Sequence, residues 1–171
     1  MEYIKQNLST IIILGLFVTY ILYQRIPIYL ANRKLESKKL ENIKFETLSG
    51  EIFHLDDLKN KIVLINFWAT WCMPCKLEMP ILESLHKELG DDLTIIGITN
   101  ENKEVVESYL KDKNITYKIV LDETYKLANY FNVQGYPTLI LIKNGVIKEV
   151  TTGFNPIIKW KIQWYVKRSI F

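Results

Sequence analysis

The sequence predicts an α/β domain in which helices flank a mixed central sheet, preceded by one transmembrane helix. Apolar runs typical of buried strands alternate with segments of helical periodicity, and the last two strands form a hairpin followed by a helix. A stretch of sixteen uncharged residues stands near the start of the chain. With 171 residues, 49% of them hydrophobic, the chain is long enough for one domain with a substantial core and one additional segment.

The N-terminal stretch, residues 8–23, predicts a membrane anchor. It is hydrophobic on all sides, unlike an amphipathic helix that lies on a membrane surface. As a helix, its sixteen residues rise about 24 Å, which is less than the roughly 30 Å of a bilayer core. Snorkelling of Gln24 and Arg25 lets residues 26–30 extend the span. A cleaved signal peptide is the alternative, although residues 29–31 match a cleavage site poorly.

Composition divides the chain into an N-terminal flank (residues 1–7), the anchor (residues 8–30), a charged linker or a helical stalk that continues the anchor (residues 31–42), and a domain (residues 43–171). Few cations precede the anchor and several follow it, so the positive-inside rule alone places the domain in the cytoplasm. Long domains, however, are translocated despite such charges. The net charge of +3 is spread along the chain and gives little support to nucleic-acid binding.

The domain opens with a predicted β-hairpin, residues 45–48 and 51–55, because Gly50 suits the turn between them. Residues 55–58 predict a short helical turn. The next segment, residues 62–68, is apolar almost throughout and predicts a strand that is buried on both faces.

A long helix is predicted over residues 73–89, because apolar side chains recur at four-residue steps and Gly90 follows them. Residues 93–98 form a second apolar run and predict another buried strand. Residues 103–111 predict a helix. The alternation of strand and helix in this part of the chain favours parallel pairing of the strands.

The last third of the domain continues this alternation and then closes the sheet. Residues 117–121 predict a strand and residues 123–131 a helix. Residues 138–142 and 146–150 flank an Asn-Gly turn, which is a strong signal for a β-hairpin. Residues 155–169 predict a final helix with a proline near its start.

Cys72 and Cys75 are the only cysteines, and two residues separate them. The predicted strand at residues 62–68 delivers the pair to the start of the predicted helix at residues 73–89. A thiol at a helix N-terminus faces unpaired backbone N–H groups and the positive end of the helix dipole. Both favour the thiolate, which is the reactive form.

Metal and cofactor chemistry are not predicted for this pair. A zinc site needs roughly four ligands, and the only histidines, His54 and His86, lie far apart in the sequence. Haem attachment requires a histidine directly after the second cysteine, where this chain has Lys76.

Residues 66–76, NFWATWCMPCK, resemble the active-site segment of thioredoxin-like proteins, and they are most similar to the membrane-anchored TlpA/ResA-like branch. Residues 135–138, GYPT, resemble the second signature of that fold, a loop with a cis-proline. Glu78 and Pro80 match the continuation of the cysteine motif in this branch. The resemblance therefore implies a thioredoxin-like fold.

The resemblance covers residues 43–171, and the anchor is also typical of the branch. The additional strand and helix around residues 116–131 resemble the characteristic central insertion of the family. One departure from plain thioredoxin concerns Asn66, which stands where a buried acid is usual. The proton transfer that this acid performs in thioredoxin must therefore be carried out by another group in this chain.

The resemblance also implies roles for the residues of the site. Cys72 is expected to be the nucleophile, Cys75 the resolving cysteine, and the two to form a redox-active disulfide. Glu78 lies one helical turn beyond Cys75 and is the candidate for proton transfer, provided that burial raises its pKa. Trp71, Tyr136 and a cis Pro137 are expected to bind the substrate, with the backbone of Tyr136 pairing with a substrate strand.

The implied function is that of a thiol–disulfide oxidoreductase in a bacterial cell membrane, with a single span and an extracytoplasmic catalytic domain. Protein disulfides are the expected substrates, with apocytochrome c as the specific candidate, and a membrane protein of the CcdA/DsbD type is the expected electron donor. Two alternatives remain open: a disulfide-forming oxidase, and a non-catalytic binding or assembly module. The redox potential of the cysteine pair distinguishes a reductase from an oxidase.

Overall fold

Seven strands and five α-helices make up residues 8–170, which the computed structural model describes. The strands are β1 (Lys44–Glu46), β2 (Ile52–His54), β3 (Ile62–Phe67), β4 (Leu93–Thr99), β5 (Lys118–Leu121), β6 (Thr138–Lys143) and β7 (Val146–Thr152). The helices are α1 (Leu8–Leu35), α2 (Met73–Leu89), α3 (Lys103–Leu110), α4 (Lys126–Tyr130) and α5 (Ile158–Ile170). The predicted flank of residues 1–7 and the last residue, Phe171, lie outside the described residues.

A five-stranded mixed sheet forms the centre of the domain and confirms the predicted fold. Its strand order is β5-β4-β3-β6-β7. β3 is central and pairs in parallel with β4 and antiparallel with β6, so that Ile65 lies between Ile96 and Ile140. Every residue of β3 is buried, which is what a strand covered on both faces requires. β1 and β2 form the predicted antiparallel hairpin beside the sheet.

Side chains of β3 alternate between two apolar cores. Leu64 and Trp68 face the core beneath α2, α3 and α5, whereas Ile65 and Phe67 face the core beneath α4 and the β1–β2 hairpin. The carboxyl ends of β3, β4 and β5 lie together at one end of the sheet, because these strands are parallel. α2 starts from this end, the active-site end of the domain.

Gly97 of β4 lies beside two large side chains, Trp68 and Tyr117, in the core beneath α2, α3 and α5. A Cβ at this position would lie 2.9 Å from Ile119 Cδ1 and 3.1 Å from both Trp68 Nε1 and Tyr117 Cε2. These distances are below ordinary van der Waals contact, and both rings are buried. The absence of a side chain at Gly97 therefore gives Trp68 and Tyr117 their space.

We expect Gly97→Ala to destabilise the protein by about 1–3 kcal/mol, because an extra methyl group in a filled core displaces its neighbours. The measurement is urea unfolding, followed by circular dichroism. Gly135→Ala is the matched control, because a Cβ there would have Thr152 Cγ2 at 4.0 Å as its nearest neighbour. Equal unfolding midpoints for the Gly97 variant and the unmodified chain would contradict the prediction.

The structure shortens two predicted helices at their starts, and the last of them begins at Ile158 instead of residue 155. The sequence predicts a helix over residues 123–131, whereas α4 covers only Lys126–Tyr130. Tyr125 adopts a left-handed backbone conformation with φ 57°, which an α-helix cannot include. The carboxylate of Asp122 accepts the N–H groups of Leu127 and Ala128 and supplies partners for the first turn. β5 and α4 occupy the segment for which the sequence predicts a central insertion.

The segment over residues 31–42, predicted as a charged linker or a helical stalk, begins as a continuation of α1 and then contacts the domain. α1 continues to Leu35, and Leu35 and Leu40 are buried in the second core. Ser37 N–H donates to Ile147 O at 2.8 Å, so the chain runs beside β7. α1 itself is long and apolar enough to cross a membrane or to act as a signal sequence.

Candidate active site

Cys72 occupies the N-cap of α2, and Cys75 lies in its first turn. The two form a disulfide with their Cα atoms 5.3 Å apart. Cys72 is 4% exposed and Cys75 is fully buried. The Cys72 Sγ accepts the N–H of Cys75 at 3.2 Å. This N–H and the positive end of α2 favour a thiolate on Cys72 once the disulfide is reduced.

Glu78 lies one turn further along α2 on the inner face of the helix, and its side chain has no exposed surface. Neither carboxylate oxygen has a hydrogen-bond partner within residues 8–170. Burial raises the pKa of Glu78 from 4.5 to about 7, because a charged carboxylate loses its hydration there. Near neutral pH this group can therefore both hold and release a proton.

Further polar groups are buried on the same side of the sheet as Glu78. Within the described residues, the Asn66 amide, Trp68 Nε1 and the Tyr117 hydroxyl make no hydrogen bond of ordinary geometry. Burial, with the negative charge of Glu83 as the next cause, raises the pKa of Tyr117, so its hydroxyl stays neutral, although Asn66 lies close enough to lower this pKa slightly. Asn66 cannot titrate, which leaves Glu78 as the proton-exchanging side chain of this group.

Trp71 and Tyr136 stand at the rim of the site. Trp71 is 69% exposed, and its ring lies 5.8 Å from the ring of Tyr136, centroid to centroid. The peptide bond between Tyr136 and Pro137 is cis. Pro137 O accepts the N–H of Gly153 at 2.8 Å, which fixes the loop to the end of β7. Within residues 8–170 the backbone N–H and C=O of Tyr136 have no backbone partner.

Two residues that hold the active-site loops were not predicted from the sequence. Glu101 accepts hydrogen bonds from Thr70 N–H and Thr70 Oγ1, both at 2.6 Å, and so fixes the turn before Trp71. Asn100 Oδ1 accepts the hydroxyl of Tyr136 at 2.9 Å. Both follow β4 directly. Their position after the second parallel strand is the signal that could have identified them, because such strand ends meet at one end of a sheet.

We expect Glu101→Ala to lower the free energy of unfolding by about 1–3 kcal/mol, because the Thr70 N–H and hydroxyl lose their acceptors. The measurement is denaturant unfolding of the oxidised protein. Glu123→Ala is a suitable control, because Glu123 is exposed and makes no side-chain hydrogen bond within the described residues. A loss no larger than that of the control would show that Glu101 does not hold the turn.

The arrangement suits exchange of electrons between dithiols and disulfides. A nucleophilic sulfur at a helix N-terminus, a second sulfur within bonding distance and a buried carboxyl with a pKa of about 7 lie within two turns of α2. Among the residues that the structure describes, no three His, Cys, Asp or Glu side chains are placed to hold a metal ion.

Comparison with known proteins gives relatives of the same chemistry. Residues 37–150 match the AhpC/TSA family. The thioredoxin-like protein YneN of Bacillus subtilis is 38% identical over 123 residues, which is 69% of this chain and 72% of YneN. The thiol-disulfide oxidoreductase ResA of Halalkalibacterium halodurans is 31% identical over 153 residues, which is 86% of this chain and 85% of ResA.

A solved structure is similar in both fold and sequence. The thiol:disulfide interchange protein of the thioredoxin family from Chlorobium tepidum superposes with a TM-score of 0.69 at 28% identity. The match covers 80% of this chain and 98% of that protein. The shared part therefore includes nearly the whole of the Chlorobium domain.

Proposed function

Because the chain belongs to the AhpC/TSA family of thioredoxin-like proteins and is a thiol–disulfide oxidoreductase with protein substrates, we propose that it is a membrane-anchored reductase. In this proposal α1 anchors the protein in a bacterial cell membrane, and the domain reduces protein disulfides outside the cytoplasm. The observation that carries the mechanism is the placement of Cys72 at the N-cap of α2, with Cys75 and Glu78 buried behind it.

The proposed reaction begins with the reduced protein. The Cys72 thiolate attacks one sulfur of a substrate disulfide, which forms a mixed disulfide and releases the other substrate sulfur as a thiolate. Cys75 then loses its proton and attacks Cys72 Sγ, so that the second substrate sulfur leaves. The substrate disulfide gains two electrons, and the Cys72–Cys75 disulfide forms. Glu78 accepts the proton of Cys75, since it is the buried carboxyl one turn away on the same helix face.

Trp71, Tyr136 and Pro137 form the proposed substrate-binding rim. The exposed Trp71 ring supplies apolar contact area, and the backbone groups of Tyr136 are available to a substrate strand. Hydrogen bonds to main-chain groups bind an extended segment with little dependence on its sequence. This mode suits an unfolded protein substrate.

The proposed location outside the cytoplasm has two supports. First, a tethered dithiol gains effective concentration beside a membrane electron donor, which matters where no diffusible reductant pool exists. Second, the structure of the pneumococcal exposed lipoprotein thioredoxin from Streptococcus pneumoniae superposes on 75% of this chain with a TM-score of 0.63 and 26% identity. The cations that follow the apolar stretch favour the opposite side, but long domains cross the membrane regardless of such charges.

Apocytochrome c is the proposed specific substrate, because the TlpA/ResA-like resemblance implies a role in cytochrome c maturation. The cysteines of the apoprotein must be reduced before haem is attached to them. A membrane protein of the CcdA/DsbD type is the proposed donor that returns Cys72 and Cys75 to the thiol state.

The equilibrium redox potential of the Cys72/Cys75 pair tests the direction of the reaction. We expect a value close to that of thioredoxin, about −270 mV, or lower. A value near −120 mV, roughly that of a strong disulfide donor, would support the alternative oxidase instead. Full function after Cys72→Ser would support the alternative of a non-catalytic module.

A membrane-impermeant maleimide, applied to intact cells after reduction, tests the location. We expect it to label Cys72 without lysis. Labelling only after lysis would place the domain in the cytoplasm and would contradict the role in cytochrome c maturation.

A further inference from the structure

We propose that α1, through its docking on β7, holds the active-site end of the domain against the membrane, with Trp71, Met73 and Phe154 in contact with the lipid headgroup region. This inference rests on the proposed membrane anchor. It goes beyond that proposal because it assigns the surface that meets the bilayer and the orientation of the disulfide.

α1 runs along β7 in a direction that two hydrogen bonds define. Ser37, just after the helix, donates its N–H to Ile147 O near the start of β7. Asn32, more than one turn earlier, donates its Nδ2 to Thr152 Oγ1 at 3.3 Å, at the end of β7. Leu35, between these two contacts, is 8% exposed. Followed towards its N-terminus, α1 thus runs along β7 in the direction of the active-site end.

α1 leaves the domain next to the loop that carries the rim of the site. Arg25 Nη1 lies 3.7 Å from the position that a Cβ on Gly153 would take. The N–H of Gly153 donates to Pro137 O, in the loop that carries the rim of the site. Arg25 is also the first charged residue after the apolar stretch of residues 8–23. The end of the apolar span and the active-site loop are therefore neighbours.

The length of the apolar span determines how deep α1 lies in the bilayer. The sixteen apolar residues are about 24 Å long as a helix, against roughly 30 Å of hydrocarbon. A short span is matched by thinning of the bilayer and by snorkelling of its flanking residues, which draws Arg25 to the headgroup level. Beyond Arg25 the helix packs on β7, where Ile28 and Ala31 are half-buried. In this orientation residues 26–30 belong to the docked part of α1 and do not lengthen the span as the sequence predicts. The mismatch therefore pulls the active-site end towards the membrane.

The active-site end of the domain exposes apolar and aromatic side chains. Trp71 is 69% exposed, Met73 is 65% exposed and Phe154, next to Gly153, is 40% exposed. Exposed apolar and aromatic side chains, tryptophan above all, are favoured at the boundary between water and lipid. A lipid interface covers these side chains when the substrate-binding rim is empty. A substrate segment then reaches the disulfide along the membrane surface.

Trp160 and Trp164 on α5 provide an internal comparison. They are 66% and 51% exposed, so exposure alone does not distinguish them from Trp71. Their helix lies away from the active-site end at both of its ends: Lys159 in its first turn contacts Glu88 in the last turn of α2, and Ser169 O accepts the Nζ of Lys143 at the far end of β6. We therefore expect these two tryptophans to remain in water.

The experiment reconstitutes the full chain in phosphatidylcholine–phosphatidylglycerol vesicles, either plain or with acyl chains brominated close to the headgroups. Bromine quenches the fluorescence of a tryptophan that it can reach. In the Trp160→Phe/Trp164→Phe variant only Trp71 and the buried Trp68 report, and we expect a clear loss of fluorescence in brominated vesicles. In the Trp71→Phe variant we expect equal fluorescence in both kinds of vesicle.

Flotation of the same samples separates this inference from the anchor proposal. A protein that floats with the vesicles while Trp71 is not quenched overturns the orientation and leaves the anchor intact. A protein that does not float overturns the anchor proposal and this inference with it. Quenching confined to the Trp71→Phe variant would show that α5 meets the lipid, and it would also overturn the proposed orientation.

A second variant tests the docking of α1. Leu35→Asp places a charge in the buried contact between α1 and the domain, while Lys34→Asp changes the exposed neighbouring residue. In the Trp160→Phe/Trp164→Phe background, we expect Leu35→Asp to reduce the quenching of Trp71 and Lys34→Asp to preserve it, with flotation unchanged in both. Equal quenching in both variants would show that docking does not set the orientation.

Discussion

Replacing Cys75 with serine is expected to trap the protein in a mixed disulfide with its substrate through Cys72. Cys72 keeps its place at the N-cap, where the N–H of residue 75 still points at Sγ. Attack on a substrate disulfide therefore proceeds, whereas the step that releases the substrate is lost with the second sulfur. The adduct is detected on a non-reducing gel as a band that dithiothreitol removes.

Cys72→Ser is the matched control, because it leaves only the fully buried Cys75. We expect no adduct and a rate of disulfide exchange at the uncatalysed level. The opposite pattern, with adducts formed by the Cys72→Ser protein alone, would reverse the assignment of nucleophile and resolving cysteine.

Glu78→Gln is expected to remove an inflection near pH 7 from the rate of disulfide exchange and to slow that rate on the order of 10²-fold at pH 8. The reason is that the buried carboxyl has a pKa of about 7 and is the group proposed to accept the proton of Cys75. Glutamine has a similar shape but cannot accept this proton. The measurement is a stopped-flow pH profile of single-turnover reduction of a model protein disulfide.

The same variant has an expected effect on stability whose sign follows from the pKa. Because the pKa of Glu78 is raised in the folded state, the folded protein binds more protons than the unfolded chain between about pH 4.5 and 7. The free energy of unfolding therefore falls as the pH rises through this window, by roughly 3 kcal/mol in total. Glutamine lacks this dependence.

Denaturant unfolding of both oxidised proteins at pH 4.5 and pH 8 measures the difference. Glu104→Gln is the control, because Glu104 is exposed. If Glu78→Gln and the unmodified chain lose stability in parallel over this range, and their pH–rate profiles coincide, Glu78 has neither the raised pKa nor the proposed role.

The elements that position the cysteines could be predicted because their signals are local. Apolar residues at four-residue steps, followed by Gly90, define α2, and the structure gives it the predicted bounds of residues 73–89. The uninterrupted apolar run of β3 shows in the same way that this strand is buried on both faces. The prediction of a helix over residues 123–131 was wrong at its start. A residue with a left-handed backbone, such as Tyr125, leaves no clear pattern in the sequence.

The surroundings of the site could not be predicted from local patterns. Glu101 and Thr70 are 31 positions apart, and their contact exists only because β3 and β4 end side by side. The space that Gly97 leaves for Trp68 depends likewise on pairing between strands. The burial that raises the pKa of Glu78 is a property of the assembled core, although the position of Glu78 on the inner face of α2 could be inferred.

The segment of residues 37–40, which pairs with the start of β7, is expected to affect the association of truncated forms of this protein. Ser37 and Lys38 exchange backbone hydrogen bonds with Ile147, and Leu40 N–H donates to Gly145 O. A chain truncated to residues 43–171 lacks these partners, so β7 becomes an open edge strand with unpaired N–H and C=O groups. Such edges recruit strands from other molecules. Aggregation or dimerisation of the truncated protein would thus reflect its missing edge protection, whereas a chain that keeps the segment from Leu35 onwards retains it.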